Sequence, residues 1–562
     1  MFIEVVVCAF IGIIAMLAIL TLWRKKYSRF TPDNKHSIFQ VLLDAIDSIF
    51  SLYLEIRRPC ISVNVVKYFT EKSKIFRQQP LFTHWLYGVR WVIIHKAEAV
   101  KELLKEKRII EKSDFYDFLK PYFGTSILTC DTSQWKERRK LLAPCFQSSM
   151  LKGYLNVFNE HAQKLVEFLH EETGKEFTCV ERPISLCSLD IACESILGVK
   201  IGALQSEAEK YVYSLHRLLD LIISRMWKFW QWTDFIFHYL KAYRELLQHL
   251  RVAHGFSRSI IKERKLRYMN GETIDVSRRP KCLLDVLLKL HIEDQVLDEE
   301  GVRQEVDTFI SAGHDTSAAA VKWTLYLIGL YPEVQEKIHQ ELDSVLGADS
   351  KGPLSVANLN ELTYLECVLK VRSNSSSVSN GWAFLEDLEY VLKVFLEETN
   401  MCGECNRLYP PVPVIARKVS EETTICGYTI PNRTTVIVSP FLVHRDEDVF
   451  PDPEKFDPER FLPENSVHIP ECAYIPFVAG PRNCIDIILH QRNECIHLSL
   501  NLKIYIFVRT CLWRDGSESP GVSHSEKLLS SLSGLEGPSA SVAKLSLQSS
   551  QPARIKFRRR EQ

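Results

Sequence analysis

The chain has 562 residues, more than one ordinary domain needs and within the range of a large single-domain enzyme. Lys plus Arg and Asp plus Glu each number 70, so the net charge is zero and nothing argues for a nucleic-acid partner. Apolar residues make up 46%, enough for a sizeable core, and the 16 cysteines lack the spacing of a disulfide framework, which fits reduced thiols in a cytosolic body.

Residues 5–23 form a nearly unbroken apolar run of the length a spanning helix needs, and Arg24, Lys25 and Lys26 follow at once. The positive-inside rule puts that basic end in the cytosol. The spacing therefore predicts a signal anchor over 1–26. A cleaved signal peptide is the weaker rival, because the basic cluster follows the apolar run and no small-residue cleavage site is evident. Residues 85–94 read as a strand pair and 97–107 as an amphipathic helix. A helix over 133–142, ended by Pro144, sets Trp135 and Arg139 on one face. Long helical patterns fill 151–270, with an aromatic cluster around 227–237.

The periodicity of 300–330 predicts a long helix. Within it Gly313, Asp315 and Thr316 invite a local kink or a water-filled groove, because a Thr hydroxyl can bond back to the helix backbone. Helices follow over 332–346 and 356–370. A Ser-rich polar linker then begins, and 388–393 nearly repeats 365–370. Cys402 and Cys405 make a C-x-x-C with no second pair, so a zinc role is unlikely on spacing alone. Glu404 and Arg407 stand three apart, a spacing that allows a bidentate pair on a helix. Short strands are expected over 423–438 and an irregular Pro- and Asp-rich segment over 446–461. Beyond 509 the chain is Ser- and Gly-rich, and it ends in a basic strand-like segment at 553–560.

The most informative stretch is 475–485. Cys484 closes a loop containing Gly480 and Pro481, with Arg482 two residues before it and Phe477 seven before. A thiolate needs a positive, partly desolvated setting. Backbone N–H groups of such a loop can tune a bound iron, and Arg482 can pair with a carboxylate of the same cofactor. These features describe a socket for a thiolate-ligated haem.

Phe477, Gly480, Arg482 and Cys484 fill F-x-x-G-x-R-x-C, and the chain here resembles the cytochrome P-450 haem-thiolate monooxygenases, in particular the family-four, fatty-acid ω-hydroxylase branch. The resemblance implies a mainly α fold with a small β region, preceded by the N-terminal transmembrane helix. It assigns Cys484 as the axial ligand of haem b, and Trp135, Arg139 and Arg417 as donors to the haem propionates. It makes Asp315 and Thr316 the acid–alcohol pair that relays protons to dioxygen, and Glu404, Arg407 and Arg460 a structural triad. Ala312 stands where many ω-hydroxylases carry a Glu that esterifies the haem, so non-covalent haem is expected. Further implications are electrons from an NADPH-cytochrome reductase, cytochrome b5 as a further donor, a lipophilic substrate and the endoplasmic reticulum membrane. The catalytic body would span 27–510, interrupted by an insertion at 371–406, with a tail over 511–562.

Asp486 departs from the family, which has Gly two residues after the cysteine, and a buried unpaired carboxylate is costly. Two alternatives therefore stay open: a membrane-tethered haem- or lipid-binding isoform with impaired turnover, and a reductase-independent haem-thiolate isomerase. The Asp315–Thr316 pair speaks against the latter, which needs no proton relay.

Overall fold

The computed structural model describes residues 61–485, apart from 271–281, most of 347–402 and a few loop positions, together with 554–555. The expected anchor, nearly all of the helix over 356–370 and of the expected insertion, Asp486 and the Ser-rich tail lie outside the described residues. Among the described residues no helix is long and apolar enough to cross a membrane.

The helices in chain order are α1 (Ile61–Ile75), α2 (Ala97–Lys105), α3 (Thr132–Leu142), α4 (Ser148–Glu171), α5 (Glu181–Ile196), α6 (Ala208–Trp227), α7 (Lys241–Met269), α8 (Leu283–Ile292), α9 (Glu299–Leu330), α10 (Pro332–Leu346) and α11 (Glu404–Leu408), with shorter turns between them. The strands are β1 (Leu81–Leu86), β2 (Val89–Ile94), β3 (Thr178–Cys179), β4 (Ile415–Lys418), β5 (Thr423–Ile425), β6 (Tyr428–Ile430), β7 (Thr435–Val438) and β8 (Arg554–Ile555). Helix dominates and the β part is small, as expected from the sequence.

Local chemistry explains the main boundaries. Asp298 caps α9 by accepting from Gly301 N at 2.7 Å, and Glu299 and Glu300 occupy the positive first turn. Pro332 cannot continue that helix and opens α10 instead. Asp131 caps α3 through Gln134 N at 2.9 Å, and the helix gives way at Leu142 to a tighter turn containing Pro144. In α2 the buried residues Ala99, Val100 and Leu103 pack against the sheet.

The main sheet has the order β1-β2-β7-β4. β1 and β2 form an antiparallel hairpin, β2 runs parallel to β7, and β4 closes the sheet antiparallel to β7. A parallel pair needs a long crossover, and here the crossover is the whole helical body. That pairing brings Ile94 opposite Val438 and carries β4 to the sheet edge. Two small ribbons, β5–β6 and β3–β8, complete the β structure.

The larger core joins α4 to α10, with α5 packed along α9. α9 is helical without interruption from Glu299 to Leu330. A Cβ at Gly313 would lie 3.0 Å from Ile196 Cδ1 and 3.7 Å from Ala192 Cβ, so the glycine admits the close approach of α5. A second core lies between the sheet, α2 and the start of the cysteine loop, where Cys472 and Ile475 are buried.

Candidate functional site

The cysteine loop is built by backbone bonds at its entry and exit. Val478 N donates to Ile475 O at 3.0 Å, Asn483 N to Gly480 O at 3.1 Å and Cys484 N to Phe477 O at 3.2 Å. Phe477 and Cys484 are thereby drawn together across the loop. Gly480 has φ 83° and Val478 φ 61°. For a β-branched residue the latter is a true outlier and stores about 1–3 kcal/mol, of the kind that collects at functional loops. A Cβ at Gly480 would sit 3.0 Å from Leu104 Cδ2, so α2 closes the outer side of the loop. Cys484 is half-buried and not in a disulfide.

Two arginines of α3 hold this loop to the long helix. Arg139 donates to Asn483 Oδ1 at 2.8 Å and to Asn483 O at 3.1 Å. Arg138 pairs with buried Glu305 of α9, which also accepts from Ile127 N at 3.0 Å. The expected Trp135–Arg139 pair is thus divided: Arg139 braces the loop backbone, while Trp135 lies beneath Arg482, whose guanidinium carbon is 4.7 Å from the ring centroid.

Three cations converge beside that tryptophan. Arg417 occupies an inward position of β4, and its backbone bridges to Lys112. Lys112 Nζ sits 4.0 Å over the Tyr116 ring. Arg482 donates to Cys130 O at 3.4 Å, but its Nε and Nη1 are buried and make no hydrogen bond. Burial lowers all three pKa values; Arg417 and Arg482 lower Lys112 further, and Arg417 helps hold Arg482 at about 10. Buried like charges with unsatisfied donors call for an anion. The two propionates of a haem supply that chemistry, so the residues present fit the group. Lys112 had not been singled out from sequence; nothing local marks it, because it reaches the site only through its long-range pairing with β4.

On α9, Ala312 is exposed and Thr316 partly so within an otherwise largely buried helix. Thr316 Oγ1 donates to Ala312 O at 2.6 Å, the back-bond expected from the sequence. At 100° per residue, Glu305, Ala312 and Thr316 fall within about 40° of one face, so the open pair lies on the side of α9 that carries α3. Asp315 is buried and faces α6, with Oδ1 3.4 Å from His216 Nε2. His314 is fully buried beside them, and burial takes its pKa down to about 4.

The triad is assembled. Arg407 donates to both Glu404 oxygens at 2.7 Å, and both side chains are fully buried. Arg460 Nε lies 3.6 Å from Glu404 Oε1, and Asp457 N donates to the same oxygen at 3.1 Å. Cys405, half of the C-x-x-C, is buried in the core, and burial raises its thiol pKa; among the described residues no cluster could hold a metal ion through His, Cys, Asp and Glu.

An apolar cavity opens between the sheet, α1 and the end of α6. Trp91, Phe115, Tyr116, Ile223, Trp227 and Phe441 are among its walls, and Tyr116 joins it to the cation cluster through Arg417.

A helical body with a small mixed sheet, a cysteine loop braced from two helices and a cluster of buried cations fit a haem-thiolate protein. The chain belongs to the cytochrome P450 family: the family model "Cytochrome P450" matches residues 48–370 and 395–486. It is a family-4 member and a monooxygenase, an oxidoreductase that uses haem iron. Cytochrome P450 4V2 of Rattus norvegicus is 39% identical over 420 residues, covering 73% of each chain. The protein of that name from Homo sapiens is 36% identical over 425 residues, 74% of each. Cytochrome P450 4c3 of Drosophila melanogaster is 36% identical over 408 residues, 70% of each.

Proposed function

We propose that the protein is a membrane-tethered monooxygenase that hydroxylates a fatty acid or similar lipid near its ω end. The observation that carries the substrate reading is the cavity, whose walls are apolar apart from the hydroxyls of Tyr116 and Ser439 and the indole N–H groups. Such a lining favours a hydrocarbon chain and gives a polar headgroup no partner deep inside. Electrons come from NADPH through a membrane-bound reductase, with cytochrome b5 as an alternative donor, and the body faces the cytosol on the endoplasmic reticulum.

Cys484 is the residue placed to ligate the haem, and Arg482, Arg417 and Lys112 are placed to neutralise its two carboxylates. Phe477 and Gly480 shape the loop that presents the sulfur. Bound there, the haem supplies dioxygen activation, with a thiolate that favours O–O cleavage. The chain's own part is orientation and proton handling. Because Thr316 Oγ1 donates backward to Ala312 O, its lone pairs stay open to the accessible side, where they can hold a water by accepting from it. Asp315, buried with Oδ1 3.4 Å from His216 Nε2 of α6, is the acid of the relay. Ala312 offers no carboxylate, and the haem is held non-covalently.

The reduced, carbon-monoxide-treated full-length protein should show a strongly red-shifted Soret band, lost in Cys484→Ala. Fatty acid incubated with NADPH and reductase should yield product hydroxylated at the chain end. A band typical of imidazole-ligated or free haem would instead favour the second reading, an isoform with impaired turnover. That reading draws on the family match breaking off between 370 and 395.

A further inference from the structure

His444 has no role in the site so far, yet it sits where the triad meets the cysteine loop. Its side chain is fully buried. Nε2 accepts from Ile475 N at 2.8 Å. Its backbone carbonyl accepts from Arg407 Nη1 at 2.9 Å. Its ring stacks on Tyr474 at 4.9 Å and 23°, and the Tyr474 hydroxyl donates to Gly403 O at 3.0 Å, at the start of α11. One residue thus ties α11 to the first residues of the loop. Onward from Ile475, the bonds already described lead through Val478 and Phe477 to Cys484 N.

We propose that His444 is the positioning residue of the thiolate loop: as a neutral imidazole acceptor it fixes Ile475, and through Ile475 it sets where Cys484 stands. Three features carry this. Nε2 can accept only while unprotonated, which puts the single ring proton on Nδ1. Nδ1–H faces the backbone carbonyls of Asn406 and Arg407, which favours the tautomer that leaves Nε2 as the acceptor. The following residue, Pro476, has no N–H, so Ile475 supplies the last backbone donor before the loop turns. Burial, with Arg407 and Arg445 nearby, drives the ring pKa down to about 3 and keeps the acceptor available.

The inference rests on Cys484 as the haem ligand. The test uses purified full-length holoprotein and compares His444→Phe, which keeps a stacking ring but offers no acceptor, with His444→Gln, which offers an amide oxygen. The readout is the ratio of thiolate-type to displaced-type bands in the reduced carbon-monoxide spectrum. Leaving one buried N–H unpaired should lower that ratio about tenfold in His444→Phe, and His444→Gln should restore most of it. Leu442→Ala, a buried neighbour on the preceding turn, should lower the melting temperature and leave the ratio intact. A wild-type ratio in His444→Phe overturns the proposal, and so does a ratio that tracks melting temperature across all three variants. Wild-type protein with no thiolate band would refute the ligand reading instead. If the variants do not fold, hydrogen exchange on the wild-type holoprotein decides: the Ile475 amide should be strongly protected, and exchange at the rate of an open loop overturns the proposal.

Discussion

At the scale of single residues, the cation cluster separates two quantities that usually move together. Lys112, Arg417 and Arg482 repel one another, and two Arg482 nitrogens lack partners. Replacing Arg482 by Met should relieve the haem-free protein, so its melting temperature holds or rises. The same change removes a propionate partner, and haem affinity should fall about tenfold, the worth of one charge-assisted hydrogen bond. A titration of haem into the apoprotein, beside a melting curve, checks both; loss of apoprotein stability would contradict this account. Thr316 makes the opposite case. Thr316→Val keeps the helix and loses only a back-bond, so stability should barely change. The fraction of NADPH lost to peroxide should rise several-fold, as measured by peroxide release against product formed. The cysteine loop and the back-bond of Thr316 were legible in the sequence because the residues that make them sit within a few positions of one another. Lys112, His216 and His444 were not, because each acquires meaning only through a partner more than a hundred residues away or on another element.

At the scale of elements, α11 shows tertiary structure overriding propensity. Gly403 and Asn406 are poor helix formers, yet Glu404–Leu408 is helical because Glu404 receives Arg407 and the Asp457 amide, while Arg407 reaches the carbonyls of His444 and Lys455. Arg407 Nε and Nη2 are matched by Glu404 within the helix, and Nη1 and Nη2 also reach carbonyls outside it, which is what makes a buried ion pair tolerable. Arg407→Met would strand Glu404 in the core, and burial already pushes its pKa up. The expected loss is about 3–5 kcal/mol, read from the denaturant midpoint; Glu404→Gln with Arg407→Met together should cost less than the single change. Equal losses would mean the pair is not coupled. The long helices, the 85–94 hairpin and the 423–438 strands were also legible, since period and turn residues are local signals. The close-packing role of Gly313 was not, because only α5 lying against α9 reveals it.

For the whole molecule, the order of the main sheet was beyond the sequence pattern, because β2 and β7 are joined across the entire helical body. That closure also buries titratable groups, and it sets how the fold responds to acid. Burial lowers His84, His95, His254 and His314 to about 4 and His444 to about 3. In the unfolded chain each would titrate near the ordinary value of about 6.5. Between those values the unfolded state holds the extra protons, so stability rises with pH and is lost as pH falls from about 6.5 toward 4. Buried Glu305, Asp307 and Glu404 oppose this, since burial raises their pKa values and lets the folded state bind protons the unfolded state lacks. Among the described residues these histidines, with His249 lowered by burial as well, outnumber the three raised carboxylates and leave a net proton uptake on unfolding. Each net proton is worth about 1.4 kcal/mol per pH unit. The denaturant midpoint should therefore be lower at pH 5 than at pH 6.5, with a shallower fall in a His314→Asn variant. His314 is the cleanest choice, since neither ring nitrogen makes a hydrogen bond that the substitution would remove. A midpoint that rises on acidification would show that the buried carboxylates, not the histidines, govern the acid limb.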